Sequence, residues 1–256
     1  MSINSPDLNH SEFMRYSRQL LMDDIGLEGQ QKFNQSRVLI VGIGGLGCPV
    51  ALYLAAAGIG QLTLCDADVV ELSNLQRQIL YQESDCGKYK VDSAEKALQA
   101  LNPSIDITIY PEPVNPDILM RGYDIVVDCT DNLAARQLIN KHCYQQKIAF
   151  VSASALGWEG QLVCFDFSHN PNLCFNCIID KNASQPHLNC SNSGVVGPVL
   201  GTMGSMQATT VIRMLLGLFQ QHGEMQRYDG KLGRWLSIQA SAQVGCSVCD
   251  EARDSH

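Results

Sequence analysis

The stretch "RVLIVGIGGLGCPVALYLAAAG", from Arg37 to Gly58, constrains the fold more than any other part of the chain. Its first residues are apolar and β-branched, as in a strand buried on both faces. Its last residues are small and apolar, and predict a buried helix stopped by Gly58. Between them Gly42, Gly44 and Gly47 stand in G-x-G-x-x-G spacing. A strand that turns at glycine directly into a helix opens a strand–helix–strand unit, whose next strand lies parallel to the first. Glycine lets the chain turn tightly and lets a ligand approach the backbone closely. The unpaired N–H groups of the helix start then attract anions. A phosphate-binding turn is the expectation.

The same rhythm continues downstream. "QLTLCD", "IDITIYP", "YDIVVDCT" and "KIAFVSAS" read as strands. "KYKVDSAEKALQALNP", ended by Pro103, and "NLAARQLINKHCYQQ" read as the helices between them. Upstream, "SEFMRYSRQLLMDDIGLEGQQKF" reads as amphipathic helix, capped by Ser11 and broken near Gly26 and Gly29. After Gly157 the pattern changes. "EGQLVCFDF" alternates like a half-solvated strand, "GVVGPVLGTMGSMQATTVIRMLLGLF" reads as a long core helix, and "MQRYDG" and "RWLSIQA" as late antiparallel strands. The predicted fold class is α/β: a Rossmann-like, mostly parallel sheet with helices on both faces, extended by antiparallel strands. One domain over 1–256 is expected, with an N-terminal helical segment at 1–35, a nucleotide-binding half at 36–155 and a second half at 156–256.

Composition narrows the partners. With 256 residues and 45% apolar content the chain can bury one large core. A net charge of -8 argues against nucleic acid, so any anion must be held by a few placed cations. "MSINSPDLNHSEFMRYSRQ" has no apolar run of the signal-peptide kind, and no apolar stretch here reads as a membrane span. A cytoplasmic protein without a membrane partner is expected.

The glycine turn alone fits NAD and ATP equally. Asp66 ends the second strand, 19 residues beyond Gly47, where a carboxylate can accept from ribose hydroxyls. Arg77 and Lys90, with Arg15 and Arg18 upstream, offer four cations to one turn. A triphosphate needs that neutralisation and a nicotinamide does not. Asn74 and Gln76 add neutral donors. "DCTDN" puts Asp128 and Asp131 at the carboxyl edge of the sheet, where a carboxylate can hold Mg²⁺ against phosphates.

The ordered set "RYSRQ", "GIGGLG", "LCDADVVELSNLQRQ", "GKYKVDSA", "DCTDN" and two C-x-x-C pairs resembles the ThiF/MoeB adenylyltransferases, relatives of ubiquitin-activating enzymes. "NCSNSGVVGPVLGTMGSMQA" and "RYDGKLGRW" look most like the thiamine-pathway branch. The resemblance implies ATP- and Mg²⁺-dependent adenylation of the C-terminal carboxylate of a ubiquitin-fold sulfur carrier ending in Gly-Gly. It implies nucleotide contacts from Gly42, Gly44, Gly45 and Gly47, from Asp66 on the ribose, from Ser73, Asn74, Leu75, Gln76 and Arg77, and from Lys90. It also implies Asp131 at Mg²⁺ and Asn132 beside the nucleotide. Arg18 is expected to reach into the partner subunit's site, which makes the protein a functional homodimer. The half at 156–256 becomes the carrier-binding and zinc half. The molybdopterin-pathway branch is the alternative. An NAD-dependent oxidoreductase leaves "SNLQRQ" and Lys90 unexplained, and an inactive carrier-binding scaffold requires site residues to be missing that are present.

The chain has eleven cysteines. Cys48, Cys65, Cys86, Cys129, Cys143 and Cys164 stand singly, mostly among apolar residues, and read as core or near-core thiols. Cys174 with Cys177 and Cys246 with Cys249 form two C-x-x-C pairs, the pattern of a closed, structural zinc site with four thiolate ligands. An iron–sulfur cluster or a redox dithiol are the other readings. Cys190 lies in a polar loop before a glycine-rich helix start, where a helix dipole lowers a thiol pKa. The resemblance makes it a sulfur-transfer residue outside the adenylation step; the plain reading is an unreactive loop thiol. The chain ends at His256, so a persulfide sulfur donor is expected to be another protein.

Overall fold

Five segments form the parallel half of one sheet: β1 (Arg37–Val41), β2 (Gln61–Cys65), β3 (Asp106–Tyr110), β4 (Ile125–Asp128) and β5 (Ala149–Leu156). Three more extend it antiparallel: β6 (Glu159–Phe165), β7 (Glu224–Asp229) and β8 (Arg234–Gln239). The structure, a computed structural model, describes residues 8–169, 172–178 and 194–250. Strand order is β3-β2-β1-β4-β5-β6-β7-β8. β1 therefore sits between β2 and β4, both parallel to it, and the winding reverses between β1 and β4. Open α/β sheets bind ligands at the carboxyl ends of the two strands that flank such a reversal.

The helices are α1 (His10–Leu20), α2 (Gly26–Gln35), α3 (Gly47–Ala57), α4 (Lys90–Leu101), α5 (Pro116–Leu119), α6 (Leu133–Gln146) and α7 (Gly197–Leu215). β1 shows why the central strands read as unbroken apolar runs. Val38 and Ile40 point into a core shared with α3, α4 and α7, while Leu39 and Val41 point into a second core shared with α5 and α6. Among the described residues no helix is long and apolar enough to cross a membrane.

α1 differs from its predicted start. Its cap is Asn9, not Ser11. The Asn9 side chain accepts the Glu12 N–H at 3.0 Å, and the Glu12 carboxylate accepts the Asn9 N–H at 3.0 Å. This reciprocal pair satisfies two otherwise orphaned donors, which a serine inside the first turn cannot do. α1 then lies across the far end of α3. Tyr16 covers Gly58, which ends α3 at φ +85°, and Gln19 donates to the Ala57 carbonyl at 3.1 Å.

Candidate nucleotide site and cysteine cluster

The glycine turn joins β1 to α3 at the reversal point, and its glycines do different work. Gly42 has φ +89°, and a Cβ there would lie 2.8 Å from the Cys129 carbonyl oxygen at the end of β4. A Cβ on Gly47 would lie 2.0 Å from the Gly42 carbonyl oxygen, and one on Gly45 2.7 Å from a Leu200 methyl of α7. These three are fixed by packing. Gly44 is not, because the nearest atom to a Cβ there is Nε2 of Gln78 at 3.6 Å. Its open face is where a ligand can approach the backbone. The Gly42 N–H is bonded to Cys65 O, and the Ile43 N–H to Asp66. Among the described residues the N–H groups of Gly44, Gly45 and Leu46 meet no protein acceptor. Three such donors at the start of an 11-residue helix suit a phosphate.

Asp66 follows β2 beside this turn. Its carboxylate accepts the Ile43 N–H at 2.7 Å and the Asp68 N–H at 2.8 Å. Burial raises its pKa above the usual carboxylate value, and Lys90 and the two amides oppose that shift. Each oxygen keeps a lone pair for a ribose hydroxyl. Lys90 begins α4 and is buried, and its Nζ lies 2.7 Å from Asp68 Oδ2. Asp68 was not singled out in the sequence, although "DAD" places it two residues beyond Asp66. Its carboxylate is 71% exposed, so the lysine bridges from the core to an open acid. The loop is tied down by Val70 N–H to Lys88 O at 2.8 Å and Lys90 N–H to Asp68 O at 2.9 Å.

"SNLQRQ" folds over the turn. Asn74 is buried, donates to Ser73 Oγ at 3.0 Å, and accepts on its backbone carbonyl from the N–H groups of Arg77 and Gln78. Arg77 is half-buried and donates to the Ser73 carbonyl at 3.1 Å, and its Cγ lies 3.5 Å from a Cβ position on Gly45. Ser73 donates to Glu71. Ser73 and Gln76 are exposed, and Leu75 is half-buried. The Gln76 carbonyl touches Gly197 at the start of α7.

The two aspartates of "DCTDN" separate. Asp128 is fully buried and accepts from Ser152 at 2.6 Å and from the Thr130 hydroxyl at 2.6 Å, with Arg136 Nε at 3.4 Å. It holds the strand end in place. Arg136, which the sequence did not single out, also donates to the carbonyls of Thr130 and Ala153. Asp131 is exposed at the carboxyl edge, and its carboxylate is the donor type Mg²⁺ takes. Asn132 caps α6 by accepting the Ala135 N–H at 2.8 Å.

The expectation of four cations around the turn is corrected. Arg15 donates to the Leu101 carbonyl at 2.8 Å, at the far end of α4. Arg18 is exposed on the same helix, beside the end of α3 opposite the glycines. Eleven helical residues at 1.5 Å each put about 16 Å between those ends. α1 sits at the amino edge of the sheet because Tyr16 and Gln19 bind the α3 terminus there.

The four paired cysteines converge. Cys174, Cys177, Cys246 and Cys249 are buried, and their sulfurs lie within 4.8 Å of one another. The Cys177–Cys249 and Cys174–Cys246 sulfurs lie 3.3 Å and 3.6 Å apart, far beyond a disulfide bond. Tetrahedral zinc with bonds of about 2.3 Å requires sulfurs about 3.8 Å apart, which the cluster fits. Burial pushes Cys174 up to about 12. Burial also raises Cys246, but hydrogen bonds from the backbone N–H groups of Val248 and Cys249 and from the Cys249 and Cys177 thiols together outweigh it and bring that thiol down to about 7. Of the single cysteines, Cys86 is exposed and the other five are buried. Cys190 lies outside the described residues.

The geometry defines an α/β protein with an anion-accepting glycine turn at the sheet's reversal point, a buried lysine and an exposed carboxylate beside it, and a separate four-thiol cluster. The chain belongs to the ThiF family, which matches residues 16–248. It is 44% identical over 245 residues to the sulfur carrier protein ThiS adenylyltransferase of Escherichia coli K12, covering 94% of this chain and 97% of that one. It is 38% identical to the molybdopterin-synthase adenylyltransferase of Salmonella typhimurium, covering 96% and 99%. It is 39% identical to the adenylyltransferase and sulfurtransferase MOCS3 of Xenopus laevis, of which it spans only 57%. E. coli MccB, solved with ATP, has the same fold with a TM-score of 0.79 at 23% identity, over 96% of this chain and 75% of that one.

Proposed function

We infer that this chain adenylates the C-terminal carboxylate of a ubiquitin-fold sulfur carrier ending in Gly-Gly, with the thiamine-pathway carrier as its substrate. It is an adenylyltransferase acting on a sulfur carrier. The observation that carries the chemistry is the set of unpaired turn donors at Gly44, Gly45 and Leu46, flanked by Arg77 and Lys90. The branch is supported by 44% identity to a ThiS adenylyltransferase spanned over 97% of its length, where a MOCS3 of equal identity is spanned over 55%.

In this reading the half at 36–155 works on ATP and the half at 156–256 on the carrier. Gly42, Gly45 and Gly47 keep the turn closed while Gly44 admits the phosphates. Asp66 takes the ribose. Ser73, Asn74, Leu75, Gln76 and Arg77 line the phosphate side, with Lys90 opposite and Asn132 alongside. Asp131 holds Mg²⁺, which neutralises phosphate charge when bound. The carrier carboxylate attacks the α-phosphorus, the acyl-adenylate bond forms, and pyrophosphate leaves with the electron pair. A carboxylate is already the nucleophile, so positioning and charge stabilisation suffice without a general base. Zinc on Cys174, Cys177, Cys246 and Cys249 ties the chain after β8 to the turn at Phe175–Cys177. Arg18 serves the site of a second copy in a homodimer. Cys190 acts after adenylation, in sulfur transfer from a persulfide donor protein, in the cytoplasm.

The deciding experiment is ATP–pyrophosphate exchange with two purified carriers, one from each pathway. Exchange with the thiamine carrier alone is expected. Exchange with the molybdopterin carrier alone would keep the chemistry and overturn the branch, and silence with both would overturn the adenylation reading.

A further inference from the structure

Gln78, the second glutamine of "SNLQRQ", is only 4% exposed. Its backbone is committed: the N–H donates to Asn74 O at 3.0 Å, and the carbonyl accepts the Tyr81 N–H at 3.2 Å. Tyr81 is in turn pinned to the Ile43 carbonyl at 2.6 Å. The side chain is thus delivered to a fixed place, and that place is the open face of Gly44, 3.6 Å from the Cβ position to Nε2. Yet Oε1 is buried without a hydrogen-bond partner among the described residues. A buried amide left unpaired costs stability, and glutamine is mostly a surface residue. An apolar side chain of the same shape would fill the space without that cost. The position instead holds an amide donor against the one turn glycine that, among the described residues, no other side chain or backbone approaches.

We propose that Gln78 is a further nucleotide-binding residue, whose amide donates to a phosphate oxygen held against Gly44. Its carbonyl accepts from water ordered by the same triphosphate. This rests on the adenylyltransferase reading, since the ligand it addresses is the ATP phosphate chain. Gln78 faces Gly44 while Arg77 faces Gly45, so the buried glutamine adds a neutral donor where a third cation would have to be buried. It sets the depth of the phosphates rather than their charge balance.

The test uses Gln78→Met, which keeps shape and removes both polar groups, and Gln78→Glu, which keeps shape and puts a carboxylate toward the phosphates. Four quantities are read for each protein: Tm without nucleotide, Kd for MgATP by calorimetry, and the KM for ATP and the KM for carrier in pyrophosphate exchange. Q78M is expected to melt at or above the wild-type Tm and to bind MgATP roughly 10- to 100-fold more weakly, the loss of one hydrogen bond to a charged group. Its KM for ATP rises and its KM for carrier stays. Q78E is expected to fold and to bind MgATP still more weakly. Wild-type MgATP affinity in either folded variant would overturn the proposal, as would a fall in the nucleotide-free Tm of Q78M, which would make the amide structural. A wild-type protein that does not bind MgATP would instead overturn the adenylyltransferase reading beneath it.

Discussion

Alanine at Gly44 and alanine at Gly47 should fail in opposite ways. At Gly47 the new methyl would sit 2.0 Å from the Gly42 carbonyl oxygen and 2.9 Å from its carbonyl carbon, and both are backbone atoms inside the turn. An ordinary contact is well over 3 Å, so the turn must open by about 1 Å or α3 must retreat. Overpacking of that kind costs about 3 kcal/mol at the upper end of its range. An unfolding entropy of about 2.1 cal/mol/K per residue gives a chain of this length about 0.54 kcal/mol/K, so G47A should lower Tm by about 6 °C. G44A meets nothing closer than 3.6 Å, and its φ is not positive, so its Tm should stay within about 1 °C of wild type or rise slightly. Its methyl nevertheless occupies the face by which a phosphate reaches the N–H donors. Losing one to two such charge-assisted bonds weakens ATP binding by at least about 10-fold. Differential scanning calorimetry without nucleotide and isothermal titration with MgATP separate the two. If G44A binds ATP like wild type, the open face is not the phosphate site. If both variants lose the same stability, the division of labour among these glycines is wrong.

Metal analysis should find one zinc per chain. Cys246→Ser should lose it and lower Tm by up to about 8 °C, because the cluster closes a 72-residue span worth about 4 kcal/mol of loop entropy; a metal-free wild type with unchanged Tm would refute this. Arg18→Ala and Lys90→Ala should each abolish pyrophosphate exchange with little change in Tm. Mixed and re-equilibrated, the two should recover up to about a quarter of wild-type exchange, since half of the dimers then carry one intact site; no recovery in verified mixed dimers would place Arg18 outside a partner's site. Cys190→Ala should keep exchange and lose any thiol-linked carrier adduct on mass spectrometry, and loss of exchange in a folded variant would contradict that.

The parallel half of the fold was readable because its signals are local. "RVLIV" is apolar on both faces because both faces are covered, and Gly58 stops α3 because only a left-handed residue continues there. Of the late strands only β6 carried a pattern of alternation, and β8 is exposed along its whole length. The cap of α1 was missed because a serine stood closer to the apolar run, while Asn9 and Glu12 formed the true box three residues apart. Neighbours of the turn that share one segment were legible, as in "SNLQRQ", which folds over the glycines. The site was not legible where contacts join distant segments. Lys90 meets Asp68 22 residues away, and Arg136 anchors the end of β4 from inside α6. Asp128 and Asp131 looked equivalent in "DCTDN", and only the register of β4 against β5, which brings Ser152 onto Asp128, separates a buried anchor from an exposed carboxylate.

The charge at the turn carries a further consequence. Among the described residues Arg77 and Lys90 flank the glycines, and Lys90 is already paired with Asp68 at 2.7 Å. Arg136 is spent on Asp128 and two carbonyls, and Arg15 on Leu101. A bound triphosphate with its nearly four negative charges must also displace or share the Lys90–Asp68 contact, in a protein whose net charge is -8. Once the carboxylates of Asp68 and Asp131 are counted, one guanidinium, one ammonium and a divalent ion leave about two negative charges unbalanced. Arg18 is an exposed cation of α1, placed about 16 Å from its own turn by the length of α3. A fold that holds this arginine away from its own phosphates gains nothing from it alone, whereas a second copy that presents the same α1 to this turn supplies the missing charge. The proposed homodimer is therefore motivated by electrostatic need at this turn, which the Arg18→Ala and Lys90→Ala mixing experiment tests.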